Sequence, residues 1–178
     1  MSWNIFTPQD FQTSHWAGGV TTQLAIGPQG THYADRDFLW RISSAQVELD
    51  HSVFTHLPDY HRFLTVLEGE LELQIGSGPK LPLPPLSLCQ FDGESWGRCK
   101  DLNLMLRKGA CTGSMEVLRL PAGSSVLPPD WDILGLYCVQ GGTSWLRSGE
   151  LGLLQEPTPC RLAPAESSVF LAMKIRLL

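Results

Sequence analysis

The stretch from Phe38 to Leu73, FLWRISSAQVELDHSVFTHLPDYHRFLTVLEGELEL, decides the fold, because it joins strand-period patterning to a polar cluster that a core does not need. Leu71, Leu73 and Ile75 alternate with Glu70, Glu72 and Gln74, the period of a strand with one buried and one wet face. Gly69 interrupts the pattern as a turn residue does. Leu64 to Leu67 is therefore expected to pair with Glu70 to Ile75 in a tight hairpin across Glu68-Gly69. At the start of the stretch, Phe38, Trp40 and Ile42 share one face of an extended strand, and Leu39, Arg41, Ser43 and Ala45 share the other. Asp59-Tyr60-His61-Arg62 gathers hydrogen-bonding groups at a strand entrance, where barrels build their pockets. The stretch reads as β-barrel with an occupied pocket.

The rest of the chain is consistent with that. Charged residues are sparse, at 17%, whereas Gly (17 residues) and Pro (13) are abundant, which favours many short strands over long helices. A net charge of −5 without a cluster of Lys or Arg argues against nucleic acid as a partner. The sequence has neither a basic start followed by an apolar segment nor a long uninterrupted apolar run, so a cytoplasmic protein with no membrane partner is expected. Cys89, Cys99, Cys111, Cys138 and Cys160 are odd in number and contain no C-x-x-C, which suits free buried thiols in a reducing compartment.

A weak echo of the hairpin lies at Cys138-Val139-Gln140-Gly141-Gly142-Thr143-Ser144-Trp145-Leu146. Aligning Gly69 with Gly141 gives a repeat of roughly 72 residues, about right for one small β-barrel half. Two barrels in one chain follow. Asp101 to Arg107 alternates Leu102, Leu104 and Leu106 with polar residues and Met105; Ser114 to Leu120 and Trp131 to Val139 supply further strands. Leu151 to Leu154, Ser168 to Ala172 and Lys174 to Leu177 complete the second half. The loop punctuation of Pro121 to Asp130 places the boundary between halves at residues 1–120 and 121–178, with exchange of strands between them allowed. Helix is expected to be minor, with one turn at Thr7 to Phe11 capped by Thr7.

Several residues could carry chemistry. Gly18-Gly19 suits a backbone that approaches something closely, an anion-binding nest or an ordinary turn. Arg41 is either a solvated edge residue or a planar fork aimed at a carboxylate; Arg62 is the best single candidate for ligand contact, against a salt bridge to Asp59 or Glu68. His51, His56 and His61 invite a metal reading, with Asp50, Asp59 and Glu68 nearby, but their spacing alternates sides in a strand and fits no standard zinc motif. No Ser-His-Asp order, G-x-S-x-G or H-E-x-x-H is present.

The segments W-A-G-G-V-T-T-Q-L (from Trp16), F-L-W-R-I-S-S-A (from Phe38), V-F-T-H-L-P-D-Y-H-R-F-L-T-V-L-E-G-E-L-E-L (from Val53), F-D-G (Phe91 to Gly93) and D-L-N-L-M (from Asp101) come in the order seen in the HutD/Ves family, which the chain resembles over its first two-thirds. The resemblance implies an all-β bicupin: two cupin-type barrels, of the double-stranded β-helix or jelly-roll kind, in one chain with minor helix. HutD proteins are linked to histidine utilisation, where the resemblance implies control of the pathway through a bound intermediate; Ves proteins are associated with stress. Arg62 matches the family arginine, and Arg41, Thr21, Asp101 and Asn103 match other recurrent polar positions. The chain departs from the family's F-P-G-x-D/E-R in having Asp59 after Pro58 and His61 before Arg62. The metal motif of catalytic cupins, G-x5-H-x-H-x3-4-E-x6-G, is missing from both halves, which weakens the case for an enzyme.

The leading expectation is thus a bicupin without cofactor that binds a small polar or carboxylate-bearing metabolite, using Arg62, Arg41, Thr21, Ser43, His61, Asp101 and Asn103. A metal-dependent isomerase or dioxygenase, holding a divalent transition metal on His51, His56 and His61, is the alternative; a structural protein with a filled barrel is another. A homodimer through sheet edges is compatible with all three.

Overall fold

The structure is a computed structural model that describes residues 2–90 and 94–178. The Phe91 to Gly93 motif lies outside the described residues. Strand β1 (Asn4–Phe6) opens the chain. It is followed by β2 (Gln12–Trp16), β3 (Gly19–Gly27), a 3-10 turn (Tyr33–Asp35), β4 (Trp40–Val47), β5 (His51–Val53), β6 (Tyr60–Gly69), β7 (Leu71–Gln74), β8 (Leu81–Leu83), β9 (Leu88–Gln90), β10 (Glu94–Trp96) and β11 (Cys99–Arg107). Then come β12 (Cys111–Leu120), β13 (Ser125–Leu127), β14 (Ile133–Gln140), β15 (Leu151–Leu154), β16 (Cys160–Leu162) and β17 (Ser168–Leu177).

Two compact units result, one spanning Phe11–Ala110 and the other joining the segment that ends at Asp10 to Cys111–Leu178. The division falls at Ala110/Cys111 rather than after residue 120, because all of β12 pairs with β17. It also gives the N-terminal segment to the later unit, where β1 pairs with β15. The helical turn expected at Thr7 to Phe11 is instead a plain turn, closed by the Thr7 N–H and Oγ1 donating to Asp10 Oδ2 at 2.8 Å each. The 3-10 turn lies at Tyr33–Asp35. Among the described residues no helix is long and apolar enough to cross a membrane.

The first unit contains a six-stranded sheet, β2-β3-β4-β11-β6-β9, and a four-stranded one, β5-β10-β7-β8. Strands β6 and β7 sit in different sheets, so the expected hairpin across Glu68-Gly69 does not form. The chain changes sheet there. Gly69 has φ +88°, and a Cβ on it would run into the Arg98 carbonyl oxygen, so this corner requires glycine. Leu64 and Val66 from one sheet and Leu71 and Leu73 from the other meet in one apolar cluster with Val47 and Cys99. Ile75, expected on the same face, lies beyond the end of β7 and is exposed. A second cluster, Phe38, Leu57, Tyr60 and Met105, fills another part of the interior.

In the second unit the order is β1-β15-β14-β17-β12, with β13-β16 as a separate pair. The pairings β12-β17-β14-β15 and β13-β16 repeat β4-β11-β6-β9 and β5-β10 of the first unit in the same chain order. The duplication suspected from Gly69 and Gly141 is therefore present in the topology. The echo fails only in detail, since Thr143 to Leu146 forms a loop rather than a strand. The interior here is occupied by Trp131, Leu134, Leu136, Cys138, Leu146, Leu154, Leu162 and Phe170. All five cysteines are free thiols, four of them buried.

Candidate functional site

Alternation along three neighbouring strands builds a polar patch in the first unit. Arg41, Ser43 and Ala45 project from β4, Arg62 from β6, and Asn103 and Met105 from β11, all toward a cavity of about 190 Å³. Register places Met105 opposite both Arg41 and Arg62, and Asn103 opposite Ser43. Thr21 of β3, Ser14 and Trp16 of β2, Tyr33, Val53, Phe54 and Thr55 complete the walls.

Arg41 is 4% exposed. Its Nε donates to Gln23 Oε1 at 2.9 Å and its Nη1 to Ser43 Oγ at 3.3 Å, and its guanidinium carbon lies 4.0 Å from the centre of the Tyr33 ring. Among the described residues no carboxylate pairs with it. Burial pushes the group down to about 10, opposed by Tyr33 and reinforced by Arg36 and Arg62. Arg62, 5% exposed, donates from Nη1 to the Thr55 carbonyl at 2.7 Å.

Asp101 lies behind this wall, fully buried. Its Oδ1 accepts from the Ala45 N–H at 2.9 Å and from Asn103 Nδ2 at 2.6 Å, while Ser44 Oγ donates to its carbonyl at 2.6 Å. Its Oδ2 has no hydrogen-bond partner among the described residues. Burial raises this carboxyl to about 7, against the lowering effect of the Ala45 N–H, Arg62 and Asn103. Holding Nδ2 toward Asp101 leaves Asn103 Oδ1, also buried, without a donor among the described residues.

Arg41, Arg62, Thr21, Ser43 and Asn103 are thus brought together; two expected residues are not. His61 alternates to the opposite face of β6, exposed, with Nδ1 3.3 Å from Gln90 Nε2. Asp101 does not line the cavity and acts on it through Asn103, the β4 backbone and its charge coupling to Arg62. His51, His56 and His61 are all exposed, and among the described residues no three His, Cys, Asp or Glu side chains converge as a metal site. Nor does Gly18-Gly19 face the cavity as a nest. A Cβ on Gly18 would strike the Trp16 ring and one on Gly19 the Gln46 carbonyl, so the close approach is to the chain itself. Sequence reasoning missed Gln23, Tyr33 and Trp16. Trp16 shares a strand face with Ser14 in a short polar run, a signal too weak to stand out.

Three solved structures show how this fold compares. The conserved protein of unknown function PA5104 from Pseudomonas aeruginosa PAO1 is 22% identical with a TM-score of 0.83, covering 99% of this chain and 100% of that one. HutD from Pseudomonas fluorescens SBW25, in a formate condition, is 16% identical with a TM-score of 0.83 and the same coverage. The bacterial pirin YhhW from Escherichia coli in complex with nickel(II) is 14% identical with a TM-score of 0.70, covering 98% and 100%. At these identities the likeness is one of fold, and the fold is that of a bicupin. The sequence has no match among the curated proteins. The family model HutD matches residues 8–173, nearly the whole chain, and the chain belongs to the HutD family.

Proposed function

We propose that the protein binds a small carboxylate-bearing metabolite in the cavity of its first barrel, and that binding rather than turnover is its role. The observation that carries this reading is Arg41, a permanently charged group buried in a cavity wall with no carboxylate paired to it among the described residues. Taking such a charge out of water is costly unless an anion compensates it. Arg62 supplies a second cation, and Thr21 and Ser43 add hydroxyls. Asn103 Oδ1 offers an acceptor to an N–H or O–H on the same ligand. In a cytoplasmic HutD protein the output would be regulatory, a metabolite sensed or buffered within histidine utilisation. The cavity speaks against a barrel simply filled by its own side chains, as does the absence of a carboxylate on Arg41 among the described residues.

The test is calorimetry and thermal shift with a panel of small carboxylic acids, including acids of the histidine pathway, on wild type and Arg41→Met. Wild type is expected to bind at least one acid saturably, and the variant about a hundredfold more weakly, as for loss of a charge-assisted pair. With no acid present, Arg41→Met should unfold at a higher temperature, since it removes an uncompensated buried charge. Failure of every acid to bind wild type, or equal binding by both proteins, would reject the proposal. Near-stoichiometric metal in untagged protein, lost on changing His56 and His61 to alanine, would favour the metal-enzyme alternative.

A further inference from the structure

Arg41 is restrained on more than one side. Gln23 and Ser43 take N–H groups along its edge, and the Tyr33 ring lies against its planar face. Arg36 also stacks on that ring, its guanidinium carbon 3.7 Å from the centroid. Two guanidinium groups so close to one centroid cannot share a face, so Tyr33 stands between them. The N–H groups of Arg41 left uncommitted belong to the cavity wall that Arg41 helps form.

The turn that carries Tyr33 is held from elsewhere. The single Tyr60 Oη–H is shared between the carbonyls of Arg36 at 2.9 Å and Phe38 at 3.0 Å, and Phe38 stacks on Tyr60 with ring centres 4.4 Å apart. Tyr33 is half-buried, its ring packed on the cluster of Phe38, Leu57, Tyr60 and Met105 with its centre 5.9 Å from that of Phe38. Tyr33 also lines the cavity and touches both arginines.

We infer that Tyr33 is a positioning residue of the anion site: backed by Arg36, its ring fixes the plane of the Arg41 guanidinium so that the free N–H edge is set for a carboxylate before the ligand arrives. The inference rests on the carboxylate-binding reading above and adds to it two residues outside that reading. Its physical basis is preorganisation. An arginine already held in plane loses less side-chain freedom on binding than one free in a cavity, and the ring quadrupole favours a cation on either face.

The experiment compares wild type with Tyr33→Phe, Tyr33→Leu and Arg36→Ala, using sodium succinate and sodium formate as probes in calorimetry. The arginine Nε–H signals are followed by NMR in the unliganded proteins. Tyr33→Phe keeps the ring and should bind as wild type does. Tyr33→Leu should bind about tenfold more weakly, and Arg36→Ala about threefold, the range a lost cation–π contact allows. The Arg41 Nε–H signal should be displaced by the ring current in wild type and Tyr33→Phe, and lose that displacement in Tyr33→Leu. Tyr33→Leu also loses its ring contact with Phe38, so affinities are compared well below each variant's melting transition, where a merely structural role would leave the folded protein's affinity unchanged. Unchanged affinity in Tyr33→Leu overturns the inference, as does equal loss in Tyr33→Phe or an undisplaced Arg41 signal in wild type. If wild type binds neither probe nor any acid of the wider panel, the carboxylate reading itself fails. The Arg41 signal then still decides whether Tyr33 holds the guanidinium.

Discussion

Asp101 shows how much one buried group can govern. It sits among Ala45, Asn103, Arg62 and Cys99, with one oxygen satisfied twice and the other without a partner among the described residues. In the unfolded chain an aspartate ionises near 4; in the folded protein burial holds this one to about 7. Between those values the folded state binds more protons than the unfolded state, so stability falls as pH rises through the window from about 4 to about 7. The loss amounts to a few kcal/mol at most. Asp101→Asn keeps both acceptor contacts on Oδ1 and cannot ionise. Chemical denaturation at a series of pH values should therefore show a flatter profile for this variant across the window and greater stability than wild type above pH 7. A slope equal to that of wild type would mean that Asp101 does not titrate there.

At the scale of elements, the corner at Gly69 shapes the first barrel more than any strand does. Buried positions run through Leu64 and Val66 with even numbers and through Leu71 and Leu73 with odd ones. The change of parity marks where the chain leaves one sheet for the other, and a tight hairpin need not produce it. Because Gly69 combines a positive φ with a close approach to Arg98, Gly69→Ala is strained on both counts. It should lower stability by about 2 kcal/mol or more in urea denaturation. Gly30, also at positive φ but with open space around it, provides the control. Its alanine variant should cost less, and equal costs would show that the Arg98 approach is irrelevant.

For the whole molecule, one repeated topology carries two different interiors, a polar-lined cavity in the first unit and an apolar cluster in the second. Strand β14 repeats β6, and with Gly141 set on Gly69 the position of Arg62 becomes Leu134. Lys174 stands opposite Leu134 and Ser114 in register, as Met105 stands opposite Arg62 and Arg41. Arg41 has no carboxylate partner among the described residues of the first unit, whereas the second pairs Lys174 with Glu116 at 3.1 Å and Asp130 at 3.6 Å. The second unit is also closed by the start of the chain, through β1 on β15 and through Trp3, which stacks on Trp145 with ring centres 4.7 Å apart. Trp3→Ala should therefore cost about 2–3 kcal/mol in denaturation while leaving carboxylate affinity in the first unit unchanged. A parallel loss of affinity would show that the two units do not act separately.

Period-two alternation is a local property, and the sequence by itself determined what depends on it: an all-β chain, two barrels, and the shared strand face of Arg41 and Ser43. It also made Arg62 the best single candidate for ligand contact, whereas Asn103 was marked only by the resemblance to a family. His61 shows the limit of that signal, since adjacency in sequence to Arg62 sends it to the opposite face. Tertiary structure alone decided which polar residues meet. Cross-strand register is set between segments far apart in sequence, which is how Gln23 comes to hold Arg41 and how Asp101 comes to meet the Ala45 N–H. The same non-local pairing turned the expected Gly69 hairpin into a passage between sheets. It also joined the first residues of the chain to its last strands, because a barrel closes on neighbours in space.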